Sequence, residues 1–354
     1  MVGSRKGLLF FTSCDRRSWE LEGDISLRGK EVNHAIQDPR TGAVYATLND
    51  PWFGGEIVRS RDLGRTWESS ARNPAFAPER GLAVQRLWHV EPGPEATPGV
   101  LYAGAAPAAL FRSEDSGVTW EEVSTLAEHS TSSTWHEGGG GLMAHTILPD
   151  PSNSRRIIVG VSAGGVYGTD DGGANWRPLN RGIRTEELPD KYPESGQCVH
   201  KIVMAPDNPN TLFMQGHWGT YSSVDGGESW KEITAGLPSD FGFAMAGHPR
   251  ESKTVYVIPL QSDDFRCPSE GRLLVFRTRD AGASWEALGN GLPQENAFMG
   301  VYRECLATDT LEPAGVYFGS NTGKVFYSID EGDTWGLLAD NLPPITSISV
   351  GAAD

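Results

Sequence analysis

The chain has 354 residues, a formal net charge of −16, and only four cysteines. That acidic balance disfavours nucleic acid and anionic membrane surfaces as partners, and no apolar run is long enough to span a bilayer. Cys14, Cys198, Cys267 and Cys305 show no C-x-x-C spacing, which disfavours a disulfide framework and a thiolate zinc site and leaves buried free thiols as the expectation.

The first residues run directly into a short polar motif, with no long apolar core and cleavage site, so a cytoplasmic location is expected. That motif, at 13–19, is one residue short and lacks the glycine of the six full copies at 60–67, 113–120, 169–176, 223–230, 278–285 and 328–335. A full copy reads S/T-x-D-x-G-x-S/T-W, with Asn175 replacing the second hydroxyl residue once. The Asp and the hydroxyl groups can accept hydrogen bonds from the N–H groups of a turn, and the glycine supplies the positive φ of a tight reversal. The closing Trp starts the next strand and offers a flat surface for packing between units.

The repeat aspartates fall at 15, 62, 115, 171, 225, 280 and 330. A period near fifty, filled with short β-rich runs, is that of a four-stranded propeller blade. The expected fold is therefore all-β: a seven-bladed propeller of four-stranded antiparallel blades, with residues 1–354 forming a single domain. The motif resembles the Asp-box, or BNR, repeat of sialidases and related propellers. Over its whole length the chain is similar to bacterial proteins labelled sialidase or glycosyl hydrolase. The resemblance implies that the repeat hairpins lie on the face opposite the site and that their aspartates are structural.

Within each unit the strands can be named A to D from the axis outward. Strand B candidates begin at Val44, Val100, Ile157, Thr211, Thr254 and Gly315, and strand C candidates at Glu56, Ala109, Gly165, Leu273 and Lys324. The first unit lacks a strand A. Residues 345–350, which follow the last copy, are expected to supply it and so remove an open sheet edge.

Strand A lines the axis, and four of these strands carry a histidine near their start: His34, His89, His145 and His200. They precede the repeat aspartate by 28, 26, 26 and 25 residues, and the same count back from Asp330 reaches Glu304. Converging imidazoles suit a divalent transition metal such as Fe, Cu or Zn. His34, His89, His145 and His200 are accordingly expected as metal ligands. Glu304 is expected as base or orienting group, and His217, in the B-to-C turn of the fifth blade, as an auxiliary catalytic residue.

Four tryptophans lie outside the repeats, Trp52, Trp88, Trp135 and Trp218. They map to the histidine-bearing face, where with Arg303 they are expected to bind substrate. The run Trp135-His-Glu-Gly-Gly-Gly-Gly-Leu-Met-Ala-His145 allows a close backbone approach or a mobile lid, and it is no phosphate loop.

The preferred expectation is a monomeric, metal-dependent enzyme that activates water or dioxygen against a small or flat organic molecule. One alternative is a sialidase-like glycoside hydrolase with paired carboxylates drawn from Glu137, Glu304, Asp50 and Asp240. The other is a non-catalytic ligand-binding or assembly propeller.

Overall fold

The computed structural model describes residues 1–50, 52 and 54–352. It is an all-β, seven-bladed propeller. Six blades are complete four-stranded antiparallel sheets whose strands follow one another outward from the axis. Their innermost strands are Glu31–Gln37, Arg86–Pro92, Ala144–Asp150, Val199–Ala205, Gly242–Gly247 and Leu306–Thr308. Among the described residues no helix is long and apolar enough to cross a membrane.

The first blade is made from both ends of the chain. Ile345–Ile348 pairs antiparallel with Val2–Ser4, which pairs with Gly7–Leu9, and the hairpin of Phe11–Thr12 with Glu20–Leu21 completes the outer part. The closing strand is thus the innermost strand of blade 1, as its sequence position implies. It lies between the inner strands of blades 2 and 7, so the inner strands form an unbroken ring. Ile345 and Ile348 are buried there.

The repeat hairpins explain the recurrence of their residues. At the second copy Ser60 Oγ donates to Asp62 Oδ1 (2.8 Å) and accepts from Gly64 N (2.8 Å), while Asp62 accepts from Thr66 N and Thr66 Oγ1 at 2.8 and 2.6 Å. These bonds, led by those from Thr66, hold the Asp62 carboxyl down at about 2. The same pattern closes the last copy around Asp330. Two successive residues take positive φ, as at Leu63 and Gly64, which only a glycine at the second position meets without strain. Asp62, Asp115, Asp171, Asp225, Asp280 and Asp330 are therefore committed to their own turns.

In blades 3 to 6 the repeat tryptophan ties the blade to the one before it. Trp120 Nε1 donates to Ser70 Oγ, Trp176 Nε1 to Thr125 Oγ1, Trp230 Nε1 to the Leu179 carbonyl and Trp285 Nε1 to the Ile233 carbonyl, at 2.8–3.2 Å. Apolar clusters lie at the blade interfaces, as where Tyr102 and Leu110 of blade 3 meet Ile157 and Tyr167 of blade 4.

Candidate functional site

The inner strands share a local irregularity that decides which side chains reach the axis. In blades 2 to 5 the register of strand A against strand B shifts by one residue, leaving Asn33, Trp88, His145 and His200 without a partner opposite. Gly242–Gly247 of blade 6 carries a comparable shift across Phe243. Such bulges re-aim side chains, and because strand period is two, neighbours in sequence part company there. The residues form two layers, an upper one at the bulge and a lower one immediately after it, nearer the hairpin face.

His34, His89, Thr146 and Lys201 occupy the post-bulge position. The lower layer is organised by Glu304, which lies in the turn before Leu306–Thr308 and not on the strand itself. Its carboxylate is 2.6 Å from Lys201 Nζ, 3.5 Å from His89 Nδ1 and 3.8 Å from His34 Nε2. The His34 and His89 rings stack at 4.2 Å between centroids, and His89 Nε2 lies 3.0 Å from Glu91. Burial and the neighbouring His89 push His34 down to about 3, so it is neutral. Burial works against a charged His89 as well, but Glu304 and Glu91 outweigh it and its value is raised. Burial opposes a charged Glu304 too, yet Lys201 and His89 hold its carboxyl well below the usual range. This layer is an internally compensated ion network. A cavity of about 350 Å³, lined by His89, Thr146, Lys201 and the ends of the inner strands, opens beside it toward the hairpin face.

The upper layer is built differently. Trp88, His145, His200 and Phe243 come from bulges, and Arg303 precedes Glu304 by one residue. The Arg303 guanidinium lies 5.5 Å from the Trp88 ring and 5.7 Å from the Phe243 ring. His145 Nε2 and His200 Nδ1 are each engaged by a backbone carbonyl of the next blade, Val199 at 2.9 Å and Gly242 at 2.6 Å. Burial, then the nearby Arg303 charge, drives both imidazoles well below their ordinary value.

The four histidines therefore do not meet at one point. His34 and His89 converge with Glu304, and His200 converges with His217 and Cys198. Each trio has donor atoms within 4.8 Å of one another and could hold a metal ion. In the first, Lys201 already neutralises the carboxylate. His145 bonds to Thr146 and Val199 and joins neither trio.

The tryptophans also separate. Trp88 is in the channel, Trp135 packs edge-on against Tyr167 and donates to its hydroxyl, and Trp52 is 88% exposed in a turn whose Pro51 and Phe53 lie outside the described residues. Trp218 stands at the rim, where its Nε1 donates to Glu187 (2.6 Å). The adjacent His217 Nε2 lies 3.7 Å from Glu187 and 3.6 Å from Asp263.

Sequence reasoning missed Lys201, Glu187 and Asp263. Lys201 follows His200 directly, and only a bulge at His200 lets it take the place His89 has in blade 3. Glu187 and Asp263 sit in the long 181–197 connection and the 261–270 insertion, whose length was the one available signal. Of the carboxylates weighed from the sequence, Glu304 serves the ion network. Asp50 and Asp240 form ion pairs with Lys30 and Arg184, and Glu137 is exposed.

No family model matches the chain. Among curated proteins it is 28% identical over 269 residues to a xyloglucanase of Hypocrea jecorina (strain QM6a), covering 69% of this chain and 30% of that protein. Among solved structures, the GH74 xyloglucanase from Xanthomonas campestris superposes with a TM-score of 0.66 at 17% identity, over 97% of this chain and 51% of that one. YCF48 from Cyanidioschyzon merolae superposes with a TM-score of 0.53 at 14% identity, over 87% of this chain and 84% of its own. The chain thus spans about a third or less of the length of the first curated relatives it matches.

These relatives overturn the expectation of a metal-dependent enzyme that activates water or dioxygen against a small flat substrate. The curated matches are named as xyloglucanases. The physical reason the expectation failed is that it required four histidines on one centre, whereas the bulges distribute them among separate partners.

Proposed function

We propose that the chain is a glycoside hydrolase-type propeller acting on a polysaccharide of the xyloglucan class. The observation that carries this reading is the similarity to xyloglucanases across two-thirds of the chain. Hydrolysis of a glycosidic bond generally needs two carboxyl groups, about 5–5.5 Å apart for retention or about 6.5–9.5 Å for inversion. Glu187 and Asp263 answer that need at the rim. Both approach the same His217 nitrogen, so their nearest oxygens are at most twice that approach apart.

Their surroundings give them different roles. Burial works against the charge on Glu187, but hydrogen bonds from Thr185 and Trp218 hold its carboxyl below the ordinary value, so it is ionised as nucleophile or base. Asp263, half-exposed on the 261–270 insertion, is assigned the complementary role of the second carboxyl. Trp218 supplies a ring beside them for stacking on a sugar.

The test is reducing-end release from xyloglucan by the purified chain. The unaltered protein should turn over, and Glu187→Gln and Asp263→Asn should each lower kcat by at least about a hundredfold, the usual weight of an acid–base group. Full activity in both variants, or none in the unaltered chain on any β-glucan, would sink the proposal.

A further inference from the structure

The upper layer holds a charge that no ion pair among the described residues answers. Arg303 is largely enclosed, its Nε is buried with no hydrogen-bond partner, and its terminal nitrogen approaches only Met143 Sδ, at 3.1 Å. Among the described residues no carboxylate lies within ion-pair distance of it. Arg266, from the 261–270 insertion, has its guanidinium 5.4 Å from the same Phe243 ring that Arg303 approaches, and its Nε is bonded only to the Asp263 carbonyl.

Two guanidinium groups thus gather on one aromatic ring, Arg303 largely enclosed and Arg266 exposed. Trp88 Nε1, on the other ring that Arg303 touches, is also buried without an acceptor. The nearest ionised groups are paired elsewhere. Glu304 is taken by Lys201 and His89, while Glu187 and Asp263 face His217. His145 and His200 are held neutral beside the guanidinium. A buried charge without a partner costs several kcal/mol, and removal of that cost is what an incoming counter-ion contributes to binding.

We propose that Arg303 and Arg266, held against Phe243, form a seat for the carboxylate of a small ring-bearing monoanion, with Trp88 Nε1 as a further donor. A planar carboxylate matches the guanidinium fork in two parallel hydrogen bonds. The body of the ligand would then lie on the Trp88 and Phe243 faces. Arg303 is the enclosed charge of the two and Arg266 is exposed to solvent, so one negative charge answers what the channel encloses and a monoanion fits better than a dianion. The seat stands apart from the hydrolysis proposed above, since it needs no bond cleavage.

Calorimetric titration of the full chain at low salt tests it, with D-glucuronate and benzoate as carboxylates and D-glucose and inorganic phosphate as controls. A carboxylate should bind one to one, weaken with added salt, and lose at least about tenfold in affinity in Arg303→Met, which corresponds to about 1.4 kcal/mol. Arg72→Met should stay within about twofold, because Arg72 is exposed and paired at 2.9 Å with Glu121 of an outer strand. Without ligand, Arg303→Met should melt no lower than the unaltered protein, since an uncompensated charge has been removed. Equal binding of glucose, tighter binding of phosphate, undiminished affinity in Arg303→Met, a lowered melting temperature in that variant, or no carboxylate binding at about 10 mM would each overturn the assignment.

Discussion

The lower layer of the channel and the upper one differ by a single residue in sequence and by their electrostatic state in space. Glu304, below, is bounded by Lys201 and two imidazoles, so its charge is answered from within. Arg303, directly before it, meets aromatic faces and a thioether, and among the described residues no carboxylate pairs with it. Buried charges that are paired belong to the framework, because breaking the pair strands the partner. A buried charge left unpaired keeps its desolvation cost in the folded protein. That contrast, more than residue type, separates the two layers of this channel.

The contrast can be broken at its foundation by deleting residues 344–354. The closing strand buries Ile345 and Ile348, and Ile348 N bonds the Glu304 carbonyl at 2.7 Å. Loss of each isoleucine should cost about 2–5 kcal/mol, and the Val2–Ser4 edge is opened as well. Cooperative thermal unfolding should be lost. A truncated chain that melts like the full one would show that neither layer depends on closure.

A smaller effect should separate the layers directly. Glu304→Gln leaves Lys201 and His89 facing a neutral amide, and urea unfolding should report a loss of about 3–5 kcal/mol. The same measurement on Arg303→Met should show no loss. Equal costs for the two would erase the distinction between compensated and uncompensated layers.

The mildest test is pH. His34 falls from an ordinary 6.5 to about 3 on folding, so below pH 6.5 the unfolded chain takes up a proton that the folded one refuses. Stability should therefore fall on acidification through that window, by up to about 1.4 kcal/mol per pH unit for each such group. His145 and His200 act in the same direction. Glu304, depressed on folding, stabilises the fold above its unfolded value, and this contribution is lost as pH drops toward its folded one. His89, raised, stabilises below about 6.5 and ceases to do so as pH climbs through its folded value. His34→Asn should flatten the decline of the urea midpoint between pH 6.5 and 4.5. An unchanged slope would mean that His34 is protonated in the fold.

Most of the architecture was readable because the repeat hairpin is local chemistry. Asp62 and its counterparts bond within eight residues, so their spacing counts the blades, and the leftover segment at 345–348 could be matched to the one missing inner strand. The site was readable only to within one position. Spacing placed His34, His89, His145 and His200 in a common slot, but a bulge is a matter of pairing between strands and leaves no mark in either strand alone. His145 and His200 therefore sit where His34 and His89 do not, and Lys201 entered the ion network unannounced. Glu187 and Asp263 come from long connections, whose paths depend on packing that periodicity does not encode.

The bulge gives the inner strands of blades 2 to 5 an adjustable phase. Removing one residue ahead of it in a single blade would move the next side chain from one storey of the channel to the other, while the outer strands and the repeat hairpin of that blade kept their alignment. The lining of this axis can therefore be respelled blade by blade.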